Sequence, residues 1–299
     1  MYVFIVGMER CGTHSLVNII NNGCIMPHHV VHEEQPFLCK EAKLLFEGND
    51  FRTENLKEKV QLWRKHHKHK ALVCEANHRF GYFITFLARQ FPGCKIIFLY
   101  RDPFDTIVSR IGIWSYYPDF LDRYPDFFKK IVAGLTPPYD FNDYRISPPL
   151  DYPFRSIVEL YAWEWIENYK FVRKELSCIP PSERFIMMTE NITQDFRKVF
   201  KFINEDFFYI NEELLAWSRL KSDSIYIQQK EHETDVFITR NRDPLTDQTV
   251  LFAKSEVYKN RDIIKSIISK GLKNISVDME SDLVNMDKQV KRLLEVKMT

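Results

Sequence analysis

The sequence predicts an α/β fold, a three-layer arrangement in which a parallel sheet carries helices on both faces. Two observations predict it. Short runs of β-branched and aromatic residues alternate with longer stretches of helical periodicity, and the first strand and helix are joined by a loop bounded by glycines. The composition agrees: 299 residues with 45% hydrophobic, 28% charged and 14% aromatic residues exclude a disordered, collagen-like or coiled-coil chain. Residues 1–299 are expected to form one domain, since this length supports a substantial single core.

The elements follow in order. Tyr2 to Val6 reads as a buried strand ending at Gly7, and from Thr13 onward Leu16, Val17, Ile19 and Ile20 fall at helical spacing. Ala71 to Glu75 and Lys95 to Tyr100 are two further strands, with a helix expected between them from about Arg79 to Phe91, stopped by Pro92-Gly93. A long helix from about Arg155 to Leu176 precedes a fourth strand, Arg184 to Met188. Between 114 and 153 the rhythm breaks into repeated Tyr, Phe, Pro and Asp, an expected insertion that either packs on the sheet or binds an acceptor. In the last stretch, Met279 to Met298, Leu283, Met286, Val290, Leu293 and Leu294 share one helical face, which predicts docking onto the domain. Trp163 and Trp165 are expected in the core.

The formal net charge of +1 argues against a general polyanion or nucleic-acid binder, so any anion site must be assembled locally from a few cations and backbone amides. The basic run Arg64 to Lys70 is read as a solvated helix end. Six cysteines, at 11, 24, 39, 74, 94 and 178, form no CxxC pair and indicate neither a zinc ribbon nor a disulfide scaffold. With no apolar run of spanning length and no signal-peptide pattern, a cytoplasmic protein without stable membrane insertion is expected.

The chemistry starts in the loop Gly7-Met8-Glu9-Arg10-Cys11-Gly12-Thr13-His14-Ser15. A strand-to-helix turn aims unpaired helix-terminal amides at the carboxyl end of the sheet, a place that binds phosphate. A nucleoside triphosphate kinase would read GxxxxGK[ST]. Here the two glycines keep that spacing, but Thr13 stands at the lysine position and His14 at the metal-holding position, while the cation has moved to Arg10. A kinase of this loop type is therefore the second choice. Farther on, Arg101-Asp102-Pro103-Phe104-Asp105-Thr106-Ile107-Val108-Ser109 follows a strand directly, and Arg101 with Ser109, eight residues later in the first turns of a helix, can converge on one phosphate. Cys11 lies at a helix N-terminus beside Arg10, a setting that can depress a thiol pKa, but the preferred reading is a small residue tolerated in the loop.

Together the two segments resemble the sulfotransferases that use 3′-phosphoadenosine 5′-phosphosulfate (PAPS). GMERCGTHSL is similar to the family's 5′-phosphosulfate loop, and RDPFDTIVS to its 3′-phosphate motif RDPxDxxxS. Thr189-Glu190-Asn191-Ile192, and Arg240 and Arg242 before Asp-Pro-Leu, resemble weaker family segments, so the resemblance covers about 2–110 and 155–265. It implies the P-loop nucleoside-triphosphate-hydrolase-like sulfotransferase fold. It also implies a cofactor site of Arg10, Cys11, Gly12, Thr13, His14, Ser15, Arg101, Ser109, Arg240 and Arg242, and a metal-free reaction yielding adenosine 3′,5′-bisphosphate. The acceptor implied is the hydroxyl of a small molecule or a glycan, such as a carbohydrate or glycolipid.

The resemblance offers two general bases. Carbohydrate members carry a Lys-Glu-x-x-Phe-Phe segment whose glutamate is the base; alignment of Phe37 in His32-Glu33-Glu34-Gln35-Pro36-Phe37 puts Glu34 in that place, with Glu33 beside it. Cytosolic members use a histidine near the end of the second strand, where His78 stands here. Glu75-Ala76-Asn77-His78 departs from the carbohydrate enzymes' Glu-Lys-x-Pro, because Ala76 replaces the lysine. His28, His29, His32 and His78 form no recognisable metal-ligand pattern. A catalytically silent nucleotide-binding module is the third reading.

Overall fold

The computed structural model describes residues 1–8, 10–32, 54–112, 155–211, 244–275 and 281–295. Its centre is a five-stranded parallel sheet in the order β2-β3-β1-β4-β5. The strands are β1 (Tyr2–Gly7), β2 (His28–His32), β3 (Leu72–Ala76), β4 (Lys95–Tyr100) and β5 (Arg184–Met188). The helices are α1 (Thr13–Gly23), α2 (Glu54–His67), α3 (Ile84–Gln90), α4 (Pro103–Gly112), α5 (Ile157–Ser177), α6 (Ile192–Ile203), α7 (Pro244–Lys259), α8 (Arg261–Lys273) and α9 (Ser281–Glu295).

The three central strands are covered on both faces: Val3 to Val6 in β1, Leu72 and Cys74 in β3, and Ile96 to Leu99 in β4 are fully buried, and in β3 the buried run also holds the carboxylate of Glu75. β2 is a strand that the sequence does not predict. Its residues, HHVVH, are all half-buried at the edge of the sheet, so they carry neither a long apolar run nor a clean alternation. The expected helix over Arg79 to Phe91 is divided into a 3-10 turn, His78–Tyr82, and α3. Asn77 Oδ1 accepts the Arg79 amide at 3.0 Å to start the turn, and Glu175 of α5 accepts the Thr85 amide at 3.0 Å to start the helix.

α5 begins where Ser156 Oγ accepts the Glu159 amide at 3.3 Å, while the Glu159 carboxylate accepts the Arg155 amide at 2.9 Å, so two helix-end donors are satisfied locally. Trp165 is in the core as expected, stacked on Tyr169 at 5.3 Å, and Trp163 is 9% exposed. α8 packs closely along α5 at Gly271, where a Cβ would overlap the Ile166 side chain. Between α4 and α5 the Arg110–Glu164 pair, at 2.6 Å, is almost wholly buried, with the guanidinium 4.0 Å from the Tyr161 ring centroid.

α9 docks on the domain. Leu283, Met286, Val290 and Leu294 are buried, and polar anchors fix the helix's register. Arg184 donates to both Asp282 carboxylate oxygens at 2.8 Å, Arg173 and Tyr169 donate to Asp287 at 3.0 and 2.8 Å, and Tyr100 donates to Gln289. The basic run ends α2 as a solvated terminus, Lys65, His66, Lys68, His69 and Lys70 being exposed.

This topology fixes where a ligand fits. From β1 the chain turns toward β2, and from β4 toward β5, so the crevice between adjacent β1 and β4 is a topological switch point. The loops after β1 and β4 are the two that carry the phosphate-like motifs.

Candidate anion site at the carboxyl edge of the sheet

The loop after β1 owes its shape to two left-handed residues. Arg10 has φ 65° and Gly12 φ 73°. Glycine at 12 is required on both backbone and packing grounds, since a Cβ there would lie 2.7 Å from Thr189 Cγ2. Thr189, the first residue after β5, donates its hydroxyl to Cys11 O at 2.6 Å and lies 3.2 Å from Tyr100 O. One side chain thus ties the ends of β4 and β5 to the loop. In the sequence 189–192 resembles the family only weakly, and a hydroxyl residue directly after a strand is the one signal of this role.

Cys11 lies beneath the loop, fully buried, and its amide donates to Met8 O at 3.2 Å. Burial pushes its thiol up to about 12, against the partial opposition of the Arg101 charge. It is a packing residue with no depressed pKa. α1 opens at Thr13 with no acidic residue in its first turn and no side-chain cap on Gly12, so the positive end of its dipole meets no competing carboxylate of its own.

The two motifs meet across the switch point. Arg10 Nε donates to Ser109 Oγ at 3.0 Å, and an Arg101 terminal nitrogen donates to Arg10 O at 3.3 Å. Asp105 and Glu190 pair with Arg101 only at 3.9 Å, beyond hydrogen-bond reach, so its guanidinium keeps N–H donors for a ligand. Asp102 caps α4, its Oδ1 accepting the Phe104 and Asp105 amides at 2.7 and 3.3 Å, while its own amide donates to Glu190 at 3.3 Å. Burial raises the Asp102 carboxyl to about 6, with the two amide bonds opposing.

On the other side of the loop, Thr13 Oγ1 lies 3.0 Å from His32 Nε2 at the end of β2. The His14 ring meets the His32 ring edge-on at 5.1 Å, and Asn18 Nδ2 lies 3.2 Å from His14 Nδ1. Ser15 is half-buried in the first turn of α1. His78 opens the 3-10 turn after β3, and the pairing of Ala76 with both Ile5 and His32 sets that turn between the loop and the end of β2.

Glu34, its neighbour Glu33, Arg240, Arg242 and the 114–153 insertion lie outside the described residues. Among the described residues no group of three or more His, Cys, Asp or Glu side chains assembles as metal ligands. His28 bonds Met26 O and Asn21, and His29 stacks on His67 at 3.9 Å. No helix among the described residues is long and apolar enough to cross a membrane. A cavity of about 580 Å³ between β5 and α9, lined by Arg184, Phe185 and Met286 among others, includes none of the motif residues.

Residues 2–144 match the sulfotransferase domain family, a stretch that contains both motifs. No curated protein matches the chain. Among solved structures, mouse sulfotransferase SULT7A1 complexed with PAP is similar at 15% identity over 97% of this chain and 88% of its own, with a TM-score of 0.47. The sulfotransferase domain from the curacin biosynthetic pathway is similar at 15% identity over 96% of both chains, with a TM-score of 0.40. The sulfotransferase from Alicyclobacillus acidocaldarius is similar at 16% identity, over 71% of this chain and 87% of its own, again with a TM-score of 0.40.

Proposed function

We propose that this chain, which matches the sulfotransferase domain family over residues 2–144, transfers a sulfuryl group from PAPS to the hydroxyl of a small-molecule or glycan acceptor, such as a carbohydrate or glycolipid. The observation that carries the reading is the meeting of Arg10, Ser109 and Arg101 at the switch point, two motifs from distant parts of the chain joined at 3.0 and 3.3 Å. The donor set fits a bisphosphorylated ligand. It offers two permanently charged guanidinium groups, hydroxyls at Thr13, Ser15 and Ser109, and a helix N-terminus without first-turn acids.

In this reading Arg10, with Thr13, His14, Ser15 and the Gly12 amide, holds the 5′ side, Arg101 and Ser109 hold the 3′-phosphate, and Arg240 and Arg242 supply a further basic loop. When bound, PAPS supplies an activated sulfuryl group on its 5′-phosphate. The chain's work is to align the acceptor with the leaving oxygen, balance negative charge and remove the acceptor proton. Arg10 cannot serve as a proton donor at ordinary pH, so its contribution is electrostatic and orienting. The proton goes to Glu34 or His78. His78 is favoured by its place just after β3, where cytosolic members carry their histidine, and Glu34 by the carbohydrate-type alignment.

The test is calorimetry of adenosine 3′,5′-bisphosphate binding without metal, beside ATP with magnesium and 5′-AMP. Selective bisphosphate binding is expected. Preference for ATP with magnesium would replace this reading with a kinase, and bisphosphate binding without turnover on any hydroxyl acceptor would leave a silent binding module.

A further inference from the structure

We propose that His32, on the edge strand β2, is a positioning residue for the donor: it orients the Thr13 hydroxyl so that its hydrogen faces the bound phosphate. The inference rests on the donor reading above and deepens it, by naming what replaces the lysine that a kinase loop carries at position 13.

A hydroxyl has one hydrogen to give and lone pairs to accept with. Thr13 is 9% exposed, and its Oγ1 sits 3.0 Å from His32 Nε2, so the pair is hydrogen-bonded in one of two directions. If Nε2 is bare, Thr13 spends its hydrogen on the imidazole and turns only lone pairs toward the anion, which repels them. If Nε2 carries hydrogen, His32 donates, Thr13 accepts, and the hydroxyl hydrogen remains for a phosphate oxygen. Only the second direction serves an anion site, and an anion in the loop selects it.

The surroundings hold the His32 ring for this task. The backbone of His32 is registered on Ala76 of β3, and the His14 ring stands edge-on against it at 5.1 Å. His14 is itself steadied from within α1, because an amide nitrogen can only donate: Asn18 Nδ2, on a buried residue, gives hydrogen to His14 Nδ1 at 3.2 Å and leaves the proton of a neutral His14 ring on Nε2. The resulting direction runs from His32 through Thr13 into the loop. It gives a neutral side chain the donor polarity that a cation supplies in other phosphate loops.

The experiment is a double-mutant cycle read by calorimetry of adenosine 3′,5′-bisphosphate, at one pH and without metal, with Tm measured for every variant. His32→Phe keeps an aromatic ring against His14 and removes the donor; Thr13→Val keeps the shape and removes the hydroxyl. Each is expected to weaken binding about tenfold, and the double variant to be no weaker than Thr13→Val alone, because His32 acts only through that hydroxyl. His32→Gln, which returns an amide donor near the Nε2 position, is expected to recover affinity to within about threefold of the parent. Additive losses in the double variant, undiminished binding in His32→Phe, or a Gln variant as weak as Phe would each overturn the proposal. Absence of binding by the parent protein would instead overturn the donor reading beneath it.

Discussion

The two halves of the sheet's carboxyl edge are built differently. In the β1–β4–β5 half, three separated segments are joined by four bonds: Thr189 to Cys11, Arg101 to Arg10, Arg10 to Ser109, and the Asp102 amide to Glu190. In the β2–β3 half, the His32–Thr13 contact reaches the loop, and His78 is carried on a short 3-10 turn. The contrast matches what each half would have to recognise. A donor with two fixed phosphates rewards donors locked in advance, whose orientation then need not be reorganised during reaction. An acceptor hydroxyl needs one well-placed base, with the remaining selectivity left to the walls around it.

Substitutions should therefore divide by half, the donor side changing affinity and the acceptor side changing turnover, with His32 the exception because it reaches across to Thr13 of the donor loop. Arg10→Ala is the largest expected effect because Arg10 serves both: kcat/KM should fall about a thousandfold, with a concurrent loss of bisphosphate affinity. Arg101→Ala should lose affinity with kcat at saturating donor little changed. Glu34→Gln and His78→Gln compete as candidate bases, and the true base should lose about a hundredfold in kcat while bisphosphate affinity holds in both. A His78→Gln variant that binds bisphosphate poorly would mean that the two halves are not separable at β3.

Gly12 tests the donor half's rigidity. Gly12→Ala should cost about 1–3 kcal/mol of folding stability, from the φ of 73° and the 2.7 Å approach to Thr189 Cγ2. Thr189→Ser keeps the hydroxyl bonded to Cys11 O and removes that methyl, so in the Gly12→Ala background it should return part of the loss in a thermal melt. No recovery would place the whole cost in the backbone.

The difference between the halves also explains what the sequence revealed. β1, β3 and β4 were legible because covering both faces of a strand demands a run such as VFIV or IIFL, and Arg101 and Ser109 because consecutive turns of one strand-helix junction place them. β2 was not legible. Its half-buried histidines acquire meaning only beside β3, and the His32–Thr13 pair needs α1 packed over that edge. The Arg10–Ser109 bond depends on β1 pairing with β4, and the break of the expected helix at Phe83 on Glu175 of α5 accepting the Thr85 amide. In each case the deciding contact is between residues far apart in the chain, where local pattern carries no signal.

The smallest expected effect is electrostatic and lies inside the donor half. Asp102 caps α4 with its carboxylate, yet burial raises its pKa to about 6, well above the usual carboxylate range. A carboxyl raised in the folded state binds its proton more tightly there than in the unfolded chain, so its contribution to stability is present in full below the unfolded pKa and is lost as pH rises through about 6. At neutral pH the charge is thus held against a penalty that the two amide bonds only partly offset. Asp102→Asn retains an oxygen acceptor for the Phe104 and Asp105 amides and discards the charge. Relative to the parent, the variant should gain about 1 kcal/mol at pH 7.5 and lose that advantage progressively by pH 4. Thermal melts across that range measure it. Parallel curves for the two proteins would mean that the cap's ionisation is not linked to folding, whereas convergence toward acid pH would show that a carboxylate is kept beside Arg101 at a measurable cost to the fold.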